Sequence, residues 1–302
     1  MTLSRRRFLS ITAAATLATP AQASALHRIR FQALGADCQI TLPGTLPEAE
    51  QAVSAVRSDL EKVENAFSLY RATSQLVRLN CDGRLANPDP SFLHGLTLAR
   101  RLHKATDGRF DPTVQAFWQA HANGTAPAPV GLADLSGNEH GIRFAKPGMA
   151  ATFNGIAQGI ATDRAIAILK AYGYRDVLAN LGEFAALGLR PDGRLWQIGV
   201  RNPVTSSIET VLTPKPDAPS IATSEPRGTL VAGKPHIFDP LMRFGPRWAS
   251  VTIRSTSAAL ADGLSTAIAA APIADAKGIL TGSDAVEAIL IDADGYPTHW
   301  SA

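Results

Sequence analysis

The sequence is poor in cysteine: Cys38 and Cys81 are the only two in 302 residues, and their surroundings offer no zinc-ligand spacing. In an oxidising compartment the two could pair, or they could remain buried thiols; the sequence leaves both open. Long apolar runs are missing, so no segment is a candidate bilayer span and no membrane insertion is expected. Basic runs are missing beyond Arg5-Arg6-Arg7, and these three arginines account for the whole excess of 29 Lys and Arg over 26 Asp and Glu. Residues 24–302 therefore balance in charge, which removes the electrostatic motive for binding nucleic acid or an anionic membrane. No repeat of solenoid period occurs, and the glycine-rich stretches lack the spacing of the Walker loop and of the dinucleotide fingerprint.

What is present begins with Ser4-Arg-Arg-Arg-Phe-Leu-Ser10, a weakly apolar run from Ile11 to Ala18, and Ala21-Gln-Ala23. Together they read as a twin-arginine export signal over residues 1–23, cut after Ala23. The expected partner during export is the Tat translocase, and the expected location is the periplasm. Proteins on this route cross already folded, which favours a tightly held cofactor.

Residues 24–302, at 45% apolar content for the whole chain, are enough for one large domain or two joined lobes. Phe31 to Leu42 alternates as one opening strand. Pro47 to Phe67 reads as a helix with Ala49, Ala52, Val53, Val56, Leu60 and Val63 inward. Further helices are expected from Ser91 through His103, through Phe117 and Trp118, from Gly155 to Tyr172 and from Ser257 to Ala271. His121 to Val130 reads as a surface connection. Short strands are expected around 142–144, 177–178, 184–187, 196–200, 208–212 and 248–253. Several follow one another with no room for a crossover helix, so the fold class is α+β with a mostly antiparallel sheet and flanking helices.

The polar residues that stand out are few. Ser257 to Ala271 carries a single charge, Asp262, and Thr266 lies one turn later on the same face, opposite Leu260, Leu264 and Ile268. A solvated helix face would carry Lys, Glu or Arg, so this one is expected to be a cleft wall. One carboxylate and one hydroxyl suit Mg²⁺, which completes its shell with water and phosphate oxygens; the plain alternative is an exposed acid and a hydroxyl bonded to its own helix. Upstream, His236-Ile-Phe-Asp-Pro240 follows the turn-like Gly233-Lys-Pro235. Asn154-Gly-Ile-Ala-Gln-Gly-Ile-Ala-Thr-Asp163 leads from a strand into a helix, where amides can receive phosphate and a carbonyl can join a metal shell.

In order along the chain, Phe67-Ser-Leu-Tyr-Arg71 with Ser74-Gln-Leu-Val-Arg-Leu-Asn80, Asp107-Gly-Arg-Phe-Asp-Pro-Thr-Val114, the glycine loop from Asn154, Asn180-Leu-Gly182, Ala222-Thr-Ser224, His236 to Pro240 and Ala261-Asp-Gly-Leu-Ser-Thr266 resemble the motifs of the FAD:protein FMN transferases of the ApbE type. The resemblance implies a T-fold-like α+β domain that binds FAD and uses Mg²⁺ to move FMN onto a Thr or Ser of another protein. It implies Gly155, Asp262 and Thr266 as metal ligands, with Ser265 assisting. Leu34, Tyr70, Arg109, Phe110, Asp111, Thr152, Gln158 and Ile237 are implied to line the FAD, Tyr70 as a stacking face. His236 is implied as the base and Asp239 as the group that orients it.

This chain departs from the family pattern at Gln158, where Lys or Glu is usual, at Glu183 and Glu225, where Gly is usual, and at Met242-Arg243, where Thr-Gly is usual. With the twin-arginine signal, these departures resemble the NosX branch that accompanies nitrous-oxide respiration, whose implied acceptor is a flavoprotein of a membrane electron-transfer system. A non-catalytic FAD carrier and a Mg²⁺-dependent FAD pyrophosphatase remain the alternatives.

Overall fold

The structure, a computed structural model, describes residues 25–125, 129–231, 233–237, 239–241 and 247–302. The expected export signal, residues 1–23, and Met242-Arg243 lie outside the described residues.

Eight strands form the large sheet and are numbered along the chain: β1 (Leu26–Ala33), β2 (Ala36–Pro43), β3 (Val177–Asn180), β4 (Phe184–Leu187), β5 (Ser220–Ser224), β6 (Trp248–Ser255), β7 (Ala285–Asp292) and β8 (Pro297–Ser301). Their order in the sheet is their order in the chain, and every neighbouring pair is antiparallel. All other elements are insertions into this meander: helices α1 (Leu46–Phe67), α2 (Gln75–Asp82), α3 (Pro90–Ala105), α4 (Gln115–Asn123) and α5 (Ala157–Ala171) between β2 and β3, and α6 (Ala258–Ala269) and α7 (Ile273–Thr281) between β6 and β7.

Period-two alternation sorts the strand side chains into two cores. Val177, Ala179, Ala222, Ala288 and Leu290 join the larger core, shared with the helices. Leu178, Ile221, Ile289 and Ile291 meet Trp196, Ile198, Val200 and Leu212, most of them from an antiparallel hairpin, Ile198–Arg201 with Ile208–Leu212, on the other side. The central strands of the sheet are thus buried on both faces, helices on one and this hairpin on the other, while the edge strands β1 and β8 are largely exposed or half-buried.

Several expectations change. The single strand at Phe31–Leu42 is a hairpin: Leu34 and Gly35 both have positive φ, 52° and 69°, the sign of a two-residue type I′ turn between paired Ala33 and Ala36. Leucine is a poor turn signal, which is why the alternation looked unbroken. Helices α2 and α7 and strands β5, β7 and β8 went unread. By contrast, all six inward positions expected of α1 are buried. The helix containing Phe117 and Trp118 runs to Asn123, so the surface connection expected from His121 starts inside it.

Helix α6 departs most from expectation. It is no cleft wall with one apolar face: of its twelve residues, eleven are buried and Thr266 alone reaches partial exposure. Its low charge reflects near-complete enclosure, with Thr266 the one position that reaches the surface. Helix α5 crosses it so closely that a Cβ on Gly159 would fall 2.5 Å from the Ala258 carbonyl oxygen and the Ala259 Cα.

Candidate functional site

Helices α5 and α6 hold each other by their ends. The first amides of any helix lack partners within it. In α6 those of Ala258 and Ala259 donate to Asp163 of α5 at 2.8 and 3.0 Å, and that of Leu260 donates to Ser257 Oγ at 3.1 Å. In α5 the amide of Gly159 donates to Asp262 Oδ2 of α6 at 3.1 Å. Each helix therefore supplies a carboxylate to the other's N-terminal turn, where negative charge also meets the positive end of the helix dipole. Burial dominates at Asp163 and raises its pKa, against the lowering effect of the amides of Ala259 and Ala258.

This crossing brings together the three residues implied as metal ligands. A Cβ on Gly155, just before α5, would sit 3.1 Å from both Cγ2 and Oγ1 of Thr266 and 3.2 Å from Phe110 Cε2. A side chain there would have to push Thr266 or Phe110 aside by a few tenths of an ångström. Asp262, 5% exposed, is fixed through its Oδ2 one turn before Thr266. From β5, Ser224 Oγ lies 2.8 Å from Ser265 Oγ and 3.3 Å from Thr266 Oγ1, and Ser265 Oγ donates to the Asp262 carbonyl at 2.9 Å. Carboxylate, hydroxyls and peptide carbonyls form a hard oxygen set. Among the described residues no group of three or more His, Cys, Asp or Glu comes together. A lone carboxylate with neutral oxygens fits an ion that keeps water and phosphate in its shell, so these residues fit Mg²⁺.

The residues implied to line FAD fall into two groups. Leu34 and Gln158 meet: Gln158 Nε2 lies 3.5 Å from the Leu34 carbonyl, and the Gln158 side chain fills the space a Cβ on Gly182 would need, at 2.5 Å. Gly182 has φ of +102°, a backbone conformation that favours glycine. The Leu34 amide donates to Glu64 Oε1 of α1 at 2.7 Å, while Glu64 Oε2 pairs with Arg71. One carboxylate thereby joins the Leu34 turn to the segment carrying Tyr70. Tyr70 is 77% exposed, which excludes the ordinary core aromatic and leaves a flat apolar face presented outward. Thr152 is partly buried, with its amide bonded to the Pro112 carbonyl at 2.7 Å, and Ile237 packs against the main core.

Arg109, Phe110 and Asp111 are instead buried and engaged within the protein. Asp111 accepts from the Thr113 amide and hydroxyl at 2.8 and 2.6 Å and from the Leu132 amide at 3.0 Å. Phe110 backs Gly155. Arg109 lies between Asp239, at 3.1 Å, and Asp275 of α7. Asp239 also accepts from the Leu241 amide at 3.0 Å. His236 Nδ1 lies 3.1 Å from the Thr229 carbonyl, a contact in which Nδ1 carries the proton and donates.

Sequence reasoning missed Glu64, Asp163 and Ser224 as site-building residues. The last two stand inside motifs that were read, but their partners lie about 95 and 42 residues away in sequence, beyond any local signal. Glu183 is buried, and its Oε2 accepts from the Thr223 amide at 3.1 Å, tying β4 to β5. Cys38 is buried and Cys81 exposed, and both are free, which settles the disulfide question.

Fold and site together define an α+β protein with a cluster of oxygen donors at a helix crossing. Residues 34–290 match the ApbE family, and the chain belongs to that family. It is 25% identical over 255 residues to the FAD:protein FMN transferase of Rhodobacter capsulatus, covering 75% of this chain and 48% of that protein. It thus spans about half the length of that relative. Among solved structures it resembles the flavin transferase ApbE from Vibrio cholerae, with a TM-score of 0.77, 21% identity and 92% and 97% of the two chains covered. The apo flavinyl transferase ApbE of Pseudomonas stutzeri gives a TM-score of 0.79 at 20% identity, covering 93% and 97%. These likenesses establish the fold.

Proposed function

We propose that this protein transfers FMN from FAD to a Thr or Ser hydroxyl of another protein, with release of AMP. The observation that carries the proposal is the meeting of Gly155, Asp262 and Thr266 at the α5–α6 crossing, an oxygen-donor set beside a helix N-terminus. Asp262, Thr266 and the Gly155 carbonyl would hold Mg²⁺. When bound, the ion supplies neutralisation of charge on the pyrophosphate. Leu34, Tyr70, Thr152, Gln158 and Ile237 would line the FAD, Tyr70 stacking on an aromatic ring. Arg109, Phe110 and Asp111 form the wall behind.

The acceptor hydroxyl attacks the FMN-side phosphorus, a new O–P bond forms, and the bond to the AMP oxygen breaks. His236, through Nε2, takes the hydroxyl proton. Asp239 acts on His236 by anchoring the segment that carries it. The acceptor we propose is a flavoprotein of a membrane electron-transfer system on the periplasmic side, as in the NosX branch of nitrous-oxide respiration. The twin-arginine leader in the sequence supports that location.

Mass spectrometry of a periplasmic acceptor domain with a Thr-bearing flavinylation motif, incubated with FAD, Mg²⁺ and either wild type or Asp262→Ala, tests the proposal. An FMN-sized mass gain that requires Asp262 is expected. No gain despite stoichiometric FAD binding would indicate a carrier, and AMP release without acceptor would indicate a pyrophosphatase.

A further inference from the structure

Arg109 is a cation enclosed in the protein at 6% exposure, on the turn Asp107–Asp111 between α3 and α4. Its guanidinium reaches Asp239, whose side chain is fully buried, and Asp275 on α7. The Arg109–Asp239 contact is 3.1 Å, yet neither Arg109 Nη1 nor Asp239 Oδ2 meets hydrogen-bond geometry, so charge rather than a directed bond holds them. Asp239 stands three residues after His236. Beyond it, Leu241 packs on the same turn, with its Cδ2 3.7 Å from where a Gly108 Cβ would be. On its other side the His236 segment is held by its own amide, which donates to the Pro226 carbonyl at 3.1 Å, and by the Thr229 carbonyl at Nδ1. The residue after Arg109 is Phe110, which backs Gly155 beside Thr266. A five-residue turn thus touches the His236 segment through one side chain and the oxygen-donor set through the next.

We infer that Arg109 is a positioning residue: by pairing with Asp239 it fixes the His236 segment relative to Gly155, Asp262 and Thr266, and it acts through Asp239 rather than by contact with FAD. This inference rests on the function proposed above. Arginine suits the place because its planar fork serves two carboxylates at once, and a lysine could satisfy only one closely. Removing the cation alone strands a buried carboxylate, which endangers the fold. The informative variant is therefore the neutral pair Arg109→Met with Asp239→Asn.

With purified full-length protein, the double variant should recover most of the melting temperature lost by Arg109→Met. It should bind FAD within threefold of wild type and transfer FMN with kcat at least tenfold lower. Arg109→Lys should restore part of that rate. Nitrogen chemical shifts of the His236 imidazole should move from the Nδ1-protonated pattern toward a tautomer mixture in the double variant. A double variant with wild-type kcat would reduce Arg109 to a structural role and overturn the inference. A tenfold or greater loss of FAD affinity would overturn it in favour of direct contact. If the wild type transfers nothing, the proposed function has failed, and the imidazole shifts decide alone: moved shifts sustain the positioning role, and unmoved shifts refute it.

Discussion

Asp163→Ala should destabilise the protein more than a partly buried polar residue normally would, because it strips two amides of their acceptor. Ala258 and Ala259 begin α6, an enclosed helix, and both donate to Asp163. A hydrogen bond to a charged acceptor contributes about 1.5–3 kcal/mol, and a buried donor left unsatisfied costs about 1–3 kcal/mol. Relief from desolvating the carboxyl offsets part of this, since burial is the largest influence on Asp163. The net loss should be about 2–4 kcal/mol, equivalent to about 4–8 °C in melting temperature for a chain of this size. Asp163→Asn retains one carbonyl acceptor and should lose about half as much.

The pH dependence has a definite sign. The carboxyl's pKa is raised above its ordinary value of 3.8 in the folded protein, so its contribution to stability is full below that value and declines as pH rises through the folded pKa. The deficit of Asp163→Asn relative to wild type should therefore be largest below the ordinary carboxyl value of 3.8 and shrink as pH rises through the folded pKa. Urea unfolding at several pH values, followed by circular dichroism, measures both effects. An alanine variant melting within about 1 °C of wild type would refute the capping argument.

Gly159→Ala places a methyl 2.5 Å from backbone atoms of Ala258 and Ala259. It should cost about 1–3 kcal/mol and abolish any Mg²⁺-induced rise in melting temperature, because the two helices must separate. Tyr70→Ala removes an exposed ring. It should leave melting unchanged while weakening FAD binding about 2–10-fold, the worth of one aromatic contact, as read by flavin fluorescence titration. A thiol reagent at about pH 8 should modify one cysteine quickly in the native protein and two after unfolding. Burial pushes the Cys38 thiol up to about 12, whereas Cys81 is exposed; two fast thiols would contradict the buried placement.

The sequence alone determined the family, the α+β class and the α1 packing face. Each rests on residues close together in the chain: motif spacing, 3.6-residue periodicity and the absence of crossover helices. It also singled out Gly155, Asp262 and Thr266, although Asp262 lies about a hundred residues from the Gly159 amide it holds. Only the tertiary structure decided why α6 lacks charge, because a helix buried except at Thr266 and a cleft wall with one apolar face share one composition. It likewise showed the internal partners of Arg109 and Asp111, carboxylates for one and backbone amides for the other. An Arg or Asp in a motif looks the same whether its partner is a ligand or a carboxylate far along the chain. Charge pairs, helix crossings and reciprocal caps form between distant segments, so their physics enters only once the chain has folded.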